Sequence, residues 1–380
     1  MVSRALALLF LLGSLAGCPP THPSEPTHPR PTPPPPATIE ARRVETAAAM
    51  PPAPRPGTYH VHMIDVGTGL AILIRGADFA MLYDAGTNDR EERPSRVTHY
   101  LAAALGPSGD DTCFPPGAPP PSRRLRLDHV VLSHPHLDHA SALDHVMHCY
   151  DVAHFWDSGR VHDTVFYREL VAGLSRAPST TYHTAASPPL DRRLSVKGLG
   201  VTMPRWERFS EGDSVALGRG ARFTILHAEA KRHHDPNQNS VVLLVELGST
   251  RLLLVGDAES GARKDPSYPV GDIEEHLLDR HSIRAHILQV GHHGSKTSSR
   301  RAFLEAVRPT YALISSGPKR YGGTTLPDPE VLEALRAVGA KLLRTDERDP
   351  NCPVRGRIGG DRGPGGCDSW ALIINEPPPN

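Results

Sequence analysis

The sequence predicts an α/β chain in which two β-sheets pack face to face beneath covering helices. Two observations predict it. Strand-like runs followed by a helix, then further strands and helices, recur in two halves of the chain. Runs rich in metal-ligand residue types also follow directly on apolar strand-like runs. Ser133-His134-Pro135-His136-Leu137-Asp138-His139 comes after Val130-Val131-Leu132, and Gly291-His292-His293-Gly294-Ser295 comes after a strand ending at Val290. At 380 residues the chain has room for two average domains. With 42 basic and 42 acidic residues its formal charge is zero, so the overall balance gives no argument for a nucleic-acid or membrane-surface partner.

Taken in order, the N-terminus has the pattern of an export signal: Arg4, the apolar run Ala5 to Leu12, then Leu15-Ala16-Gly17-Cys18. The run is too short to span a bilayer as a stable helix. Small residues before a cysteine resemble the bacterial lipoprotein box, which implies a signal peptide over 1–18 and lipid on Cys18. The protein is then expected to be exported and held on a bacterial membrane, facing the periplasm or the exterior. Residues 19–57 are dominated by proline, including Pro33 to Pro36, and are expected to form an extended, disordered spacer. Ala41 to Met50 is given at most a transient helix. Without Cys18, four cysteines remain, which allow three pairings. Cys113–Cys149 with Cys352–Cys367 is the expected one in an exported chain.

The folded domain is expected over 58–377. Tyr59 to Val66, Leu70 to Ile74 and Phe79 to Tyr83 are predicted strands, and Pro94 to Leu105 a helix. His60 and His62 lie on one strand face and are read as strand residues. Pro107 to Ser122 is a Pro/Gly-rich loop. Leu127 to Leu132 feeds the first histidine run, and a helix over Asp138 to Cys149 follows. Val152 to Trp156 is a short strand and Thr164 to Leu174 an amphipathic helix. The pattern between Ser175 and Gly220 is weak. Phe223 to His227, Ser240 to Leu247 and Arg251 to Val255 form a second sheet, and Ile283 to Val290 adds another strand. Arg301 to Val307 and Pro329 to Val338 are helices; Tyr311 to Ile314, Lys341 to Arg344 and Trp370 to Ile374 are strands.

Imidazole nitrogen together with carboxylate oxygen is the donor set of zinc, with manganese or iron as alternatives. His134 and His136 can share one side of an extended turn, while Asp138 and His139 open the next helix, an arrangement that suits two adjacent ions. The run resembles the His-x-His-x-Asp-His signature of the metallo-β-lactamase superfamily of dinuclear metallohydrolases, whose fold is four-layered, αββα. Asp65-Val66-Gly67, Asp84-Ala85-Gly86 and His292-His293-Gly294-Ser295 resemble one branch, the hydrolase domain of the ComEC competence proteins. The resemblance implies that His134, His136, Asp138, His139, Asp257 and His293 bind two divalent ions, with Asp257 bridging. It gives Asp138 and His292 catalytic duty, His292 facing substrate. Asn239 and Ser240, standing where many superfamily members have a third histidine, and Ser295 are then expected at the substrate. The chain departs from the branch at Thr68 and Leu70, where Gln and Asp are usual, and at Tyr321 to Pro327, where the branch carries Asn and His-Pro.

Two such ions would lower the pKa of a bridging water from about 15.7 towards 7. The resemblance points to a phosphodiesterase or nuclease, with a phosphodiester, and DNA among the candidates, as substrate. Hydrolysis of a lactam, lactone or thioester on the same ions, or binding without catalysis, are the competing readings. No protein partner is evident. Arg123, Arg124, Arg126, Lys296, Arg300, Arg301, Lys319 and Arg320 are candidates for a cationic strand path.

Overall fold

A computed structural model describes residues 36–89, 95–118, 120–321, 323–348, 356–358 and 366–377. Residues 1–35, with the expected signal peptide and Cys18, lie outside the described residues. Among the described residues no helix is long and apolar enough to cross a membrane.

In chain order the elements are β1 (Thr38–Arg43), β2 (Thr58–Met63), β3 (Gly69–Arg75), β4 (Ala80–Thr87), α1 (Ser95–Leu105), β5 (Arg126–Val131), α2 (Leu137–Ala140), α3 (Leu143–Cys149), β6 (Asp151–Asp157) and α4 (Val165–Ser175). The small strands β7 (Thr181–Thr184), β8 (Arg193–Val196), β9 (Leu199–Thr202) and β10 (Trp206–Arg208) follow. The second half holds β11 (Ser214–Gly218), β12 (Ala221–His227), β13 (Val242–Leu247), β14 (Thr250–Leu254), α5 (Asp272–Arg280), β15 (Ile287–Gln289), α6 (Arg301–Val307) and β16 (Tyr311–Ile314). It ends with β17 (Arg320–Tyr321), β18 (Thr324–Thr325), α7 (Pro329–Ala337), β19 (Lys341–Arg344) and β20 (Trp370–Asn375).

The described strands form a nine-stranded sheet ordered β1-β20-β2-β3-β4-β5-β6-β7-β10 and a seven-stranded sheet ordered β11-β12-β13-β14-β15-β16-β19. One apolar cluster joins the two sheets, with Val61, Ile72, Met81 and Val131 from the first meeting Phe223, Val245, Leu252 and Leu313 from the second. A cluster including Leu101, Leu143, Val146, Leu170 and Leu174 packs α1, α3 and α4 on the outside of the first sheet. Another, including Leu277, Phe303, Leu304, Val331 and Leu335, packs α5, α6 and α7 on the second. The layers therefore run helix, sheet, sheet, helix, the αββα fold expected from the sequence.

Each sheet is antiparallel on one side and parallel on the other. β4, β5, β6 and β7 run parallel in the first, and β14, β15, β16 and β19 in the second. Parallel strands end at one edge, where loops gather and ligands bind in open α/β sheets. Both histidine runs leave from such ends.

Four expectations are corrected. The folded unit begins before residue 58, inside the stretch expected to be a disordered spacer: β1 pairs with β20 over Thr38–Arg43, and Val44 is buried. The signal was the alternation Thr38-Ile39-Glu40-Ala41-Arg42, hidden in proline-rich surroundings. The helix given to Ala41–Met50 is one short 3-10 turn over Ala47–Ala49. The helix over Asp138–Cys149 is broken into α2 and α3, because the Ala142 N–H bonds to Ala85 O across the sheet edge instead of extending α2. Finally, α5 was not foreseen, since the acidic first turn Asp272, Glu274 and Glu275 left few apolar positions to mark its period.

Cys113 and Cys149 are disulfide-bonded as expected and tie the loop after α1 to the end of α3. Cys367 is also disulfide-bonded; its expected partner Cys352 lies outside the described residues. His60 and His62 are buried strand residues away from the ligand runs, with His62 Nδ1 3.1 Å from the Tyr100 hydroxyl.

Candidate metal centre

Close backbone approach builds the centre. A Cβ on Gly86, in β4, would lie 2.4 Å from the backbone carbon of Asp138 and the nitrogen of His139, so only glycine lets the start of α2 rest against that strand. Gly256, with φ of +56°, turns the chain after β14, and a Cβ there would lie 2.7 Å from Ser133 Cβ. These two glycines bring the 133–139 run against Asp257 from the other sheet.

Asp257 is 2 % exposed and sits at the middle. Its Oδ1 is 3.2 Å from His139 Nε2, and its Oδ2 is 3.8 Å from His134 Nε2, 3.8 Å from His292 Nε2 and 3.7 Å from His293 Nε2. His134 Nε2 and His136 Nδ1 are 2.9 Å apart. Asp138 Oδ2 lies 3.8 Å from His293 Nε2. All six expected ligands thus converge from three distant segments of the chain, together with His292. Two groups bring one ligand atom per residue within 4.8 Å of one another: His134, His139 and Asp257, and Asp138, His139 and His293.

The residues fit a pair of cations on physical grounds. His139 Nε2, Asp257 Oδ1 and His293 Nε2 are buried and without a hydrogen-bond partner. Orphaned buried polar atoms are costly, and these three belong to the two clusters whose ligand atoms gather within 4.8 Å, as a metal-binding pocket requires. Burial depresses the His139 imidazole, but Asp257 and Asp84 on either side outweigh it and hold it well above the usual histidine range. Burial opposes ionisation of Asp257, yet His139, His293 and His292 keep it well below the carboxylate range. His134 is held well below its usual range, chiefly by burial. For His292, burial is outweighed by Asp257 and Glu259, and its pKa rises to about 8.

Behind these side chains is a supporting shell that the sequence reading did not assign. Asp84, held in a left-handed conformation with φ of 57°, lies 2.8 Å from His139 Nδ1 and accepts from Ser133 N–H and Oγ–H, both at 2.7 Å. Its carboxylate fixes which His139 nitrogen faces the centre. Ser315 O does the same for His293, 2.8 Å from Nδ1, and Glu259 with Thr297 holds His292 Nδ1 at 2.9 and 2.8 Å. Asn88 Nδ2 and the Tyr321 hydroxyl donate to Asp138 Oδ2 at 2.7 and 3.0 Å. Asp84-Ala85-Gly86 at a strand end was a visible signal for Asp84; Tyr321 had none.

The three expected substrate residues have partners within the fold. Asn239 is buried, and its Nδ2 donates to Glu229 O and Lys231 O. Ser240 accepts the Asp257 N–H at 3.2 Å, and Ser295 accepts from Arg263 at 2.9 Å. Ser240 and Ser295 thus brace the segments beside Asp257 and Arg263, while Asn239 Oδ1 is buried without a hydrogen-bond partner. The expected cationic path also shrinks. Arg300 is buried against the carbonyls of Ala262, Lys264, Asp265 and Lys296; Arg124 bonds carbonyls of Met147 and Tyr150; Arg126 pairs with Asp128 and Lys296 with Glu330. Exposed Lys319 and Arg320 remain beside the centre, on the hairpin that carries Tyr321.

Residues 64–317 match the Metallo-beta-lactamase superfamily. The chain is 29% identical over 285 residues to Competence protein ComA of Neisseria gonorrhoeae, covering 74% of this chain and 30% of that protein. It is 32% identical over 164 residues to ComE operon protein 3 of Bacillus subtilis, covering 42% of this chain and 19% of that protein. The chain therefore spans under a third of the length of these relatives. Among solved structures, the metallo-beta-lactamase fold protein YhfI of Bacillus subtilis aligns over 75% of this chain and 95% of its own, at 11% identity and a TM-score of 0.40. The His/Asp clusters at the strand ends, the αββα layers and the match over most of the folded unit lead to one assignment: this chain belongs to the metallo-β-lactamase superfamily of metal-dependent hydrolases.

Proposed function

We propose that the chain is a phosphodiesterase of the ComEC-like type, with DNA as a candidate polymer substrate, acting outside the cytoplasm from a lipid anchor on Cys18. The observation that carries the catalytic part is the convergence of Asp257 with His134, His139, His292 and His293 within 3.8 Å. The choice of bond is supported by the similarity to competence proteins and by Lys319 and Arg320 at the mouth of the centre. The choice of compartment is supported by the Cys113–Cys149 disulfide.

Divalent ions, when bound, supply a water of lowered pKa and neutralise charge on the phosphoryl oxygens. His134, His136, His139, Asp138 and His293 would hold them, with Asp257 reaching both groups. His292 presents Nε2 to the centre while Glu259 and Thr297 restrain its Nδ1. In this reading Nε2–H hydrogen-bonds the departing oxygen and gives it a proton as the phosphorus–oxygen bond breaks. Tyr321 and Asn88 keep the Asp138 carboxylate aimed inward.

The test is turnover of bis-p-nitrophenyl phosphate, single-stranded DNA and nitrocefin by the purified chain, with and without chelator. Chelator-sensitive hydrolysis of the two phosphodiesters and inert nitrocefin are expected. Hydrolysis of nitrocefin alone, or no chelator-sensitive phosphodiester turnover, overturns the reading.

A further inference from the structure

Glu211, His276 and His281 meet at a place that shares no residue with the centre above. Glu211 lies in the turn before β11, His276 on α5, and His281 at the C-cap of α5. Five residues apart on a continuous helix, two side chains diverge by about 140°. His281 escapes that constraint because it leaves the helix in an extended conformation, φ −134° and ψ 151°. Its ring thereby comes to 6.1 Å from that of His276. Each imidazole Nε2 lies 2.9 Å from a different oxygen of Glu211, and one ligand atom from each of the three residues lies within 4.8 Å of the other two. The side chains retain 31%, 29% and 17% of their surface for Glu211, His276 and His281, so an ion can enter from solvent.

We propose that Glu211, His276 and His281 form an additional metal site, separate from the catalytic centre, for a divalent ion of the zinc type with water completing the coordination. Two imidazole nitrogens and one carboxylate oxygen are a zinc donor set. The separations suit the exchange: a zinc ion takes ligands at about 2.0–2.2 Å, so atoms now in hydrogen-bond contact need move only a few tenths of an ångström apart to surround one. Without the ion each Nε2–H donates to Glu211; on binding, each ring exchanges that proton through solvent to Nδ1, which frees the two Nε2 lone pairs for the ion. His227 braces the site from behind. It is buried, its ring lies edge to face with His276 at 5.3 Å, and its Nδ1–H donates to Ser240 O at 2.8 Å. The ion would clasp α5 to the turn that opens the second sheet.

The measurement is zinc content, so it is read without any turnover and stands apart from the proposed activity. The full chain is stripped with chelator, reloaded with zinc, desalted and analysed by mass spectrometry of the metal. The wild type should hold one equivalent more than Glu211→Gln with His276→Ala and His281→Ala. His134→Ala with His139→Ala should lose zinc from the catalytic centre only. In that second background, added zinc should raise Tm, and Glu211→Gln alone, which retains side-chain size and hydrogen bonding, should abolish the rise. Equal zinc content in wild type and the surface variant, or a zinc-induced Tm rise that Glu211→Gln leaves intact, overturns the site.

Discussion

Asp84 and His139 are joined at 2.8 Å, carboxylate to Nδ1, on the side of the imidazole that faces away from Asp257. A buried carboxylate that touches no other expected ligand thus decides which nitrogen of a shared ligand is offered to the cations.

Replacing Asp84 by Asn should therefore weaken metal binding about 10–100-fold while leaving the ligands in place. Competition with a chromophoric chelator measures this. An unchanged affinity would mean that packing alone orients His139.

Asp257→Ala removes the carboxylate that approaches both ligand groups. Bound metal should fall from near two equivalents at the catalytic centre, and chelator-sensitive turnover should be lost. Elemental analysis in a Glu211→Gln background reads the centre by itself. Retention of both equivalents there would contradict the bridging role.

Tyr321→Phe removes one of two hydrogen bonds to Asp138. A hydrogen bond to a charged group contributes about 1.5–3 kcal/mol, so kcat should fall about 10–100-fold with KM nearly unchanged if the hydroxyl only positions Asp138. A rise in KM with steady kcat would instead place the hydroxyl against substrate.

Glu274 is buried, and desolvation raises its carboxyl to about 7 from 4.5, against the backbone N–H groups of Ser299 and Arg300. The folded state thus holds this proton more tightly than the unfolded state. Its contribution is full below about pH 4.5 and is lost as pH rises through about 7, a change on the order of 3 kcal/mol. Glu274→Gln should flatten the decline in stability between pH 5 and 8 in denaturant titrations. Parallel wild-type and variant profiles would refute it.

Cys113–Cys149 closes a loop of 36 residues, for which chain entropy gives a stabilisation of about 4 kcal/mol. Cys113→Ser with Cys149→Ser should lower Tm by several degrees, and reductant should lower the wild-type Tm at least as far, because it also opens the Cys367 disulfide. A reductant-insensitive wild type would argue that the bond does not form.

The sequence by itself determined the fold class, most of the strands and helices, the six side chains that converge on the candidate metal centre and the Cys113–Cys149 bond. Those features are written locally: apolar runs of period two or near 3.6, and ligand-type residues set directly at strand ends. Tertiary structure alone showed which groups Asn239, Ser240 and Ser295 bond, because the partners of a polar side chain near a motif depend on which segments lie beneath it. It alone brought in Tyr321 and Asn88, which reach Asp138 across large sequence separations, and turned Glu259, two residues after Asp257, towards His292. It also moved the start of the folded unit back to Pro36, since β1 gains its hydrogen bonds from β20, more than 300 residues away. A strand's partner, like the aim of a buried carboxylate, is fixed by where distant segments meet, and nothing in the local pattern of residues carries that information.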